Sequence, residues 1–316
     1  MMRRRTFLLS APALVATSVS GAAQPGRITL GTAAESGGFP IYGEAFVTMM
    51  KAVDPVMDFR LVETRGADDN VAMLEDGDLD LALVTGEVAQ EVLGGVGQPR
   101  SGLKVVTAVY AMPGMFAIRA DSRFRAIIDL KGHRVVWNAE DSDLARQARY
   151  VMGGLGLDLD RDFEAIYSDN PAEGAAMVID GRASALWGAG LRWPGFVKVA
   201  LSARGARFVV PDADEIAAIR KKHSFLVPLT VPAGLYRGQY REIETIGTWS
   251  MMLARADLND ALGRRLAASL QKAERTGQLT RHLRQTTARN TLAVVSAHET
   301  LQPGVMSHYR AAGLVE

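Results

Sequence analysis

Short aliphatic or β-branched runs alternate along most of the chain with longer stretches whose apolar positions recur at helical spacing. The first pair is a run at Ile28–Leu30 and an amphipathic stretch from Pro40 to Val53, which predict a strand and then a helix. Further strands are expected at Phe59–Glu63, Leu79–Val84, Val105–Tyr110, Met115–Arg119, Arg134–Trp137, Phe163–Tyr167, Ala183–Trp187 and Arg207–Val210, with helices filling most gaps. Near the C-terminus Leu262, Leu266 and Leu270 recur every fourth residue among Arg264, Arg265, Gln271 and Lys272, which puts the leucines on one buried helix face. Such alternation is that of an α/β fold on largely parallel sheets.

The chain echoes itself. Ala72-Met73-Leu74-Glu75-Asp76-Gly77 is answered 104 residues later by Ala176-Met177-Val178-Ile179-Asp180-Gly181, each a helix end followed by an apolar strand. Glycine suits the left-handed position that closes a helix. At nearly the same offset, Ala33-Ala34-Glu35-Ser36 after the first strand matches Ala139-Glu140-Asp141-Ser142 after Val135–Trp137. Two similar α/β lobes are therefore expected. In an open parallel sheet, ligands collect outside the carboxyl ends of the strands, so two facing lobes make a cleft. Ser36 and Ser142 then either hold an anion at helix N-termini from both sides or cap those helices.

Charge and composition add a location. Arg3, Arg4 and Arg5 precede an apolar stretch from Phe7 to Val19 that is too short to span a bilayer, and Gly21-Ala22-Ala23 offers a small-residue cleavage site. Residues 1–23 are read as a signal peptide with a twin-arginine-like start, cleaved near Ala23, which predicts a periplasmic protein. Its removal takes away three arginines and no acids, so the formal charge falls from +1 to −2. Neither nucleic acid nor an anionic membrane is then favoured as a partner. Having no cysteine, the chain has no disulfide, thiolate metal site, cysteine nucleophile or lipid-modified N-terminal cysteine.

Catalytic signatures are missing from the sequence. His133, His223, His282, His298 and His308 are scattered without metal-ligand spacing, and no G-x-S-x-G elbow or phosphate-binding loop occurs. Ser269-Leu270-Gln271-Lys272 fits S-x-x-K but lies in the leucine-faced helix without partner motifs. No enzyme, metal or cofactor is expected.

Several side chains fall where a cleft would be. Phe39 and Tyr42 follow a glycine-rich turn, where Phe39 is either an aromatic wall or core packing and the Tyr42 phenol is a hydrogen-bond donor. Asn70 opens a helix as a cap or as an amide donor, while Thr85 and Glu87 end the Leu79–Val84 strand. Trp187 ends the equivalent strand of the second lobe and Arg192 opens the helix after it, as an aromatic and guanidinium clamp or as a core tryptophan and a surface arginine.

Taken in order, the segments resemble the TAXI-type solute receptors of TRAP transporters. Gly31, Thr32, Gly37, Phe39 and Gly43 fit that family's first loop; Thr64, Gly66 and Asn70 fit its Thr-Gly-Gly-x-x-x-Asn segment; and Gly77, Asp80 and Leu81 fit its next strand entry. Thr85-Gly86-Glu87 stands where the family tends to have Gln-Ser-Asp. Leu130-Lys131-Gly132 with Val135, then Asp180-Gly181 with Ala185, match in the second lobe, and Leu301-Gln302-Pro303-Gly304 with Tyr309 and Gly313 resembles the closing signature, Gln302 replacing histidine. Two departures bear on the ligand. In Asn138-Ala139-Glu140-Asp141-Ser142-Asp143 the serine is kept but three acids are added, and Arg65 replaces a glycine as either a bidentate partner for a carboxylate or an ordinary surface arginine.

The resemblance implies a hinged, two-lobed periplasmic-binding-protein-like fold of type II, with the ligand cleft between the lobes. Lobe 1 would take 24–113 and 233–316, and lobe 2 114–232, with hinges near Tyr110–Met115 and Val231–Tyr236. Its implied role is to capture a small organic acid and deliver it, as a monomer, to the membrane subunits of a TRAP transporter. An ABC-importer or sensor-linked receptor, or an envelope hydrolase, is the alternative. Glu35, Ser36, Phe39, Tyr42, Arg65, Asn70, Thr85, Glu87, Asn138, Ser142, Trp187 and Arg192 are the expected ligand-binding residues.

Overall fold

Each half of the chain builds a parallel sheet of the same order. The computed structural model describes residues 27–34, 38–94, 101–168, 170–295 and 297–316; the expected export segment, 1–23, lies outside them. The first half contains β1 (Ile28–Gly31), α1 (Gly38–Val53), β2 (Phe59–Val62), α2 (Ala67–Glu75), β3 (Leu81–Val84) and α3 (Gly86–Gly94). A long strand β4 (Lys104–Arg119) leads to β5 (Arg134–Val136), α4 (Asp143–Gly154), β6 (Glu164–Ile166), α5 (Pro171–Asp180), β7 (Ala185–Ala189), α6 (Pro194–Leu201), β8 (Ala206–Val209), α7 (Ala213–Lys222) and β9 (Val227–Val231). The chain returns through β10 (Ile243–Ala254) and ends in α8 (Asp260–Arg275), α9 (Ala288–Val294) and α10 (Pro303–Ala311).

The sheet order is β2-β1-β3-β10-β4-β7-β5-β6, with β8 on β4 and β9 on β10. Thus β2-β1-β3 and β6-β5-β7 are matching parallel triplets, which is the duplication that the helix-end echo anticipates. The echoed glycines Gly77 and Gly181 both adopt positive φ, of 82° and 86°. Between the triplets, β4 and β10 pair antiparallel from Ile246↔Gly114 to Ala254↔Lys104. The sequence predicts two strands, Val105–Tyr110 and Met115–Arg119, on either side of Met112-Pro113-Gly114, yet β4 is continuous. Pro113 is tolerated because the strand needs no donor there, while β10 faces it with Gly247.

Side-chain packing divides at these two strands. Leu30, Phe46, Leu81, Val105, Met252 and Leu266 belong to one core. Phe116, Trp137, Trp187 and Ile246 form a second, and Met115, Phe196, Val231 and Tyr236 form a third on the other face of the second sheet. Val231, Tyr236 and Ile246 all pack with side chains of the second half. As expected, Leu266 and Leu270 are buried on α8. Among the described residues no helix is long and apolar enough to cross a membrane.

Gly247 leaves no room for a side chain between the crossing strands: a Cβ there would lie 2.1 Å from the Met112 carbonyl oxygen. Gly247→Ala must push the two strands apart and is expected to lower stability by about 1–3 kcal/mol. Urea unfolding checks this, and an unchanged midpoint would show that the crossing yields freely.

Candidate functional site

Strand register fixes where the site must be. Val84, the last residue of β3, pairs with Met251, which pairs with Ala108 of β4. Ala189, the last residue of β7, pairs with Gly114 of the same strand. Because β7 runs antiparallel to β4 while β3 runs parallel to it across β10, the carboxyl ends of both triplets point at the stretch Tyr110–Gly114 from opposite sides. That edge is where open parallel sheets receive ligands.

A buried asparagine spans the strand ends in each triplet. Asn70 Nδ2 donates to the carbonyls of Thr32 and Leu83, both at 2.7 Å. Asn138 Nδ2 donates to the Trp187 carbonyl at 2.9 Å. Paired strands β1 and β3 share register only over Leu30–Gly31, and β5 and β7 only over Val135–Val136, so beyond those positions the ends splay. Each amide continues the ladder across the gap. Asn138 does so at φ 68°, one of two non-glycine residues at positive φ among the described residues, and the other, Arg192 at 58°, follows β7. Such conformations are uncommon and cluster at functional edges.

Polar side chains from both halves meet in front of these ends. Glu87, on the first turn of α3, is buried and accepts from Thr248 Oγ1 of β10 at 2.8 Å. Burial pushes its carboxyl up to about 7, its own backbone N–H and Thr248 acting against the shift, Asp143 adding to it and Gln147 opposing it. Asp143 and Gln147 both stand on α4, in the other half, and Gln147 Nε2 donates to the Met112 carbonyl at 3.1 Å. The half-buried Asp143 is likewise pushed up, to about 6, by burial first; Arg146 opposes the shift, Asp68 adds to it, Thr85 opposes it through a hydrogen bond, and Glu91 adds again. Arg146 reaches across with Nη2 at 2.7 Å from Asp68 Oδ2 and Nη1 at 3.0 Å from Glu91 Oε2, and Tyr150 donates to Glu91 Oε1 at 2.7 Å.

The expected residues separate by their surroundings. Thr85, Glu87, Asn70 and Asn138 lie at the facing strand ends. Ser142 is the cap of α4, accepting from the Ala145 N–H at 3.2 Å and donating to the Ala139 carbonyl at 2.7 Å. Trp187 is fully buried, its ring 4.9 Å from that of Phe116 and its indole N–H on the Leu144 carbonyl. Phe39 is buried against Tyr110. Burial raises the pKa of Tyr42, and its hydroxyl is engaged with Thr286 at 2.9 Å. Arg65 turns outward, its side chain 89% exposed and paired with Asp69, and Arg192 is also exposed. Glu35 and Ser36 lie outside the described residues.

Sequence reasoning did not single out Arg146, Gln147 and Tyr150, and it marked Asp143 only as one of three acids added beside Ser142. The usable signal was the stripe Asp143, Arg146, Gln147, Tyr150 at i, i+3, i+4 and i+7 on a helix that follows the first strand of the second triplet. Glu91 and Thr248 carry no local signal, since only the tertiary crossing brings them in.

Glu87 makes a pH dependence testable. Between its ordinary pKa of 4.5 and about 7, the folded chain keeps a proton that the unfolded chain has lost. Stability is therefore complete below pH 4.5 and declines as pH rises to about 7, by on the order of 3 kcal/mol from this group. Glu87→Gln keeps an oxygen for Thr248 and removes the titration. Urea midpoints at pH 5 and pH 8 should show the variant gaining on the wild type at pH 8 and losing that gain at pH 5; an equal difference at both would exclude a raised pKa.

Known structures share this architecture. The periplasmic aliphatic sulphonate binding protein SsuA from Escherichia coli superposes with a TM-score of 0.52 at 17% identity, covering 90% of this chain and 82% of that one. XAC2383 from Xanthomonas citri, bound to ATP, does so with a TM-score of 0.50 at 14% identity, covering 92% and 99%. At such identities the likeness shows the fold, the two-lobed α/β fold of periplasmic binding proteins. Sequence goes further, since the model of the NMT1-like family matches residues 30–313, from the first strand through the last helix, and the chain belongs to that family.

Proposed function

We propose that the protein is a periplasmic solute receptor whose halves close on a small organic acid and present it to the membrane subunits of a TRAP-type importer. The observation that carries this is the convergence of polar side chains from both halves, Glu87 and Glu91 against Asp143, Arg146, Gln147 and Tyr150, at the facing strand ends. A solute bridging the halves favours the closed state by the contacts that exist only there, and a membrane partner can read that state. In this reading residues 24–110 with 251–316 make one lobe and 115–246 the other, with the hinge in β4 and β10.

The carboxylate partner proposed is Arg146 rather than Arg65 or Arg192. Its pairing with Asp68, 65% exposed at the rim, is a solvent-screened contact of about 0–1 kcal/mol, so a ligand carboxylate can replace Asp68 at little cost. A second reading, an ABC-type importer as the membrane partner, draws on the likeness to a sulphonate-binding protein and places sulphonates in the ligand panel.

Thermal shift of the purified protein against C3–C6 mono-, di- and oxo-acids, aromatic acids, amino acids and sulphonates tests the proposal. One class should stabilise it, by about 2.7 kcal/mol at a hundredfold excess over Kd, and be recovered unchanged. Arg146→Ala should weaken that binding roughly 10- to 100-fold while Arg65→Ala leaves it intact. Chemical turnover of a ligand, or no stabilisation by any acid, would overturn the receptor reading.

A further inference from the structure

Resting on the receptor reading, we infer that the open groove between α5 and α6, on the second half, docks an acidic amphipathic segment of the importer's membrane subunits, with Arg192 as the cation that meets its carboxylate.

The groove, of about 770 Å³, is shallow and open, so it does not enclose a small solute as a receptor cleft does. Its floor is apolar: Ile179 of α5 and Val197 of α6 are half-buried, and Leu201 at the end of α6 is 62% exposed. Both charged residues that line it are cations, Arg192 and Lys198, and no acid does. Lys198 is tethered, its Nζ donating to the Ala172 carbonyl at 2.8 Å, whereas of Arg192 only the backbone N–H is engaged among the described residues. An exposed apolar floor beside charge of one sign is complementary to an apolar segment that carries the opposite sign.

Two further observations point to an occupant. Ser202 Oγ, on the groove wall, is buried and has no hydrogen-bond partner among the described residues, although a buried hydroxyl ordinarily has one. An acceptor oxygen on a docked segment supplies it. Arg192, for its part, is held at φ 58°, which a side chain of its size rarely adopts. Tyr236 holds it there: this tyrosine is buried with its ring 4.7 Å from that of Phe208, and its hydroxyl accepts from the Arg192 N–H at 3.0 Å and donates to the Gly190 carbonyl at 3.4 Å. Backbone strain kept in place from the core fixes the point from which the guanidinium extends, so less freedom is lost when a partner docks.

Other occupants fit less well. A two-fold contact between copies of this chain through the groove would set Arg192 and Lys198 against the same cations. An anionic bilayer is planar and leaves a concave floor unfilled, and without residues 1–23 the chain carries a formal charge of −2.

Photo-cross-linking tests this, with Val197 replaced by p-benzoylphenylalanine in the full chain, produced in cells of the source organism. Irradiation should join it to an integral membrane subunit of the importer, at a segment in which mass spectrometry finds carboxylates beside apolar residues. Arg192→Glu and Leu201→Glu should each cut the product about tenfold or more. Tyr236→Phe, which releases Arg192 from its strained turn, should cut it about threefold and add nothing to Arg192→Ala. Melting temperatures confirm that each variant is folded. No membrane-subunit product, or one that survives both glutamate variants, overturns the inference. So does self-association of the purified protein that Arg192→Glu abolishes, or its retention by phosphatidylglycerol vesicles. Thermal shift with the acids and sulphonates reads solute binding without a partner. A protein stabilised by one of them that gives no importer product loses the docking inference and keeps the receptor reading, whereas failure of both assays loses both.

Discussion

Everything in this molecule hangs on the antiparallel pairing of β4 and β10. Both connections between the halves are strands of one sheet, hydrogen-bonded to each other, rather than loops, so relative motion has to be a twist or bend of that ladder. The register slips between Ser250 and Met251 and again between Met252 and Leu253, leaving Val109 and Val106 as extra residues on β4. Bulges of this kind raise local twist and free backbone groups from the ladder. Side chains from the C-terminal segment take those groups up: Thr291 Oγ1 accepts from the Ala108 N–H, Gln285 from the Ala111 N–H, and Thr286 donates to the Val109 carbonyl. Tyr42 belongs to this arrangement, its hydroxyl on Thr286 tying α1 to the bulged strand.

That constraint explains why the facing ends are held so differently from the rim. At the back, the polar groups are bonded to the crossing strands themselves, Glu87 to Thr248 and Gln147 to the Met112 carbonyl. At the front, the halves meet through ion pairs of Arg146, and these are partly solvated, with Asp68 the more exposed arm. Solvated pairs orient and steer without contributing much stability, so separating the halves at the rim is inexpensive.

The repeated architecture was legible in the sequence because its markers are local. Helix-closing glycines at Gly77 and Gly181, the cap Ser142 and the leucine face of α8 follow from backbone and burial rules that act within a few residues. β10 was not legible: Thr245, Thr248 and Ser250 interrupt its apolar run, and they are buried polar residues whose justification is tertiary, Thr245 donating to the Gly114 carbonyl and Thr248 to Glu87. The same holds for the site. Thr85, Glu87, Asn70 and Asn138 could be placed because they sit at strand ends, but the departure of Arg65 from a family pattern left its role open between ligand partner and surface arginine, and its pairing with Asp69 four residues on draws it outward. Trp187 could not be assigned to wall or core by spacing, since an inward strand position and a cleft-edge position have the same period.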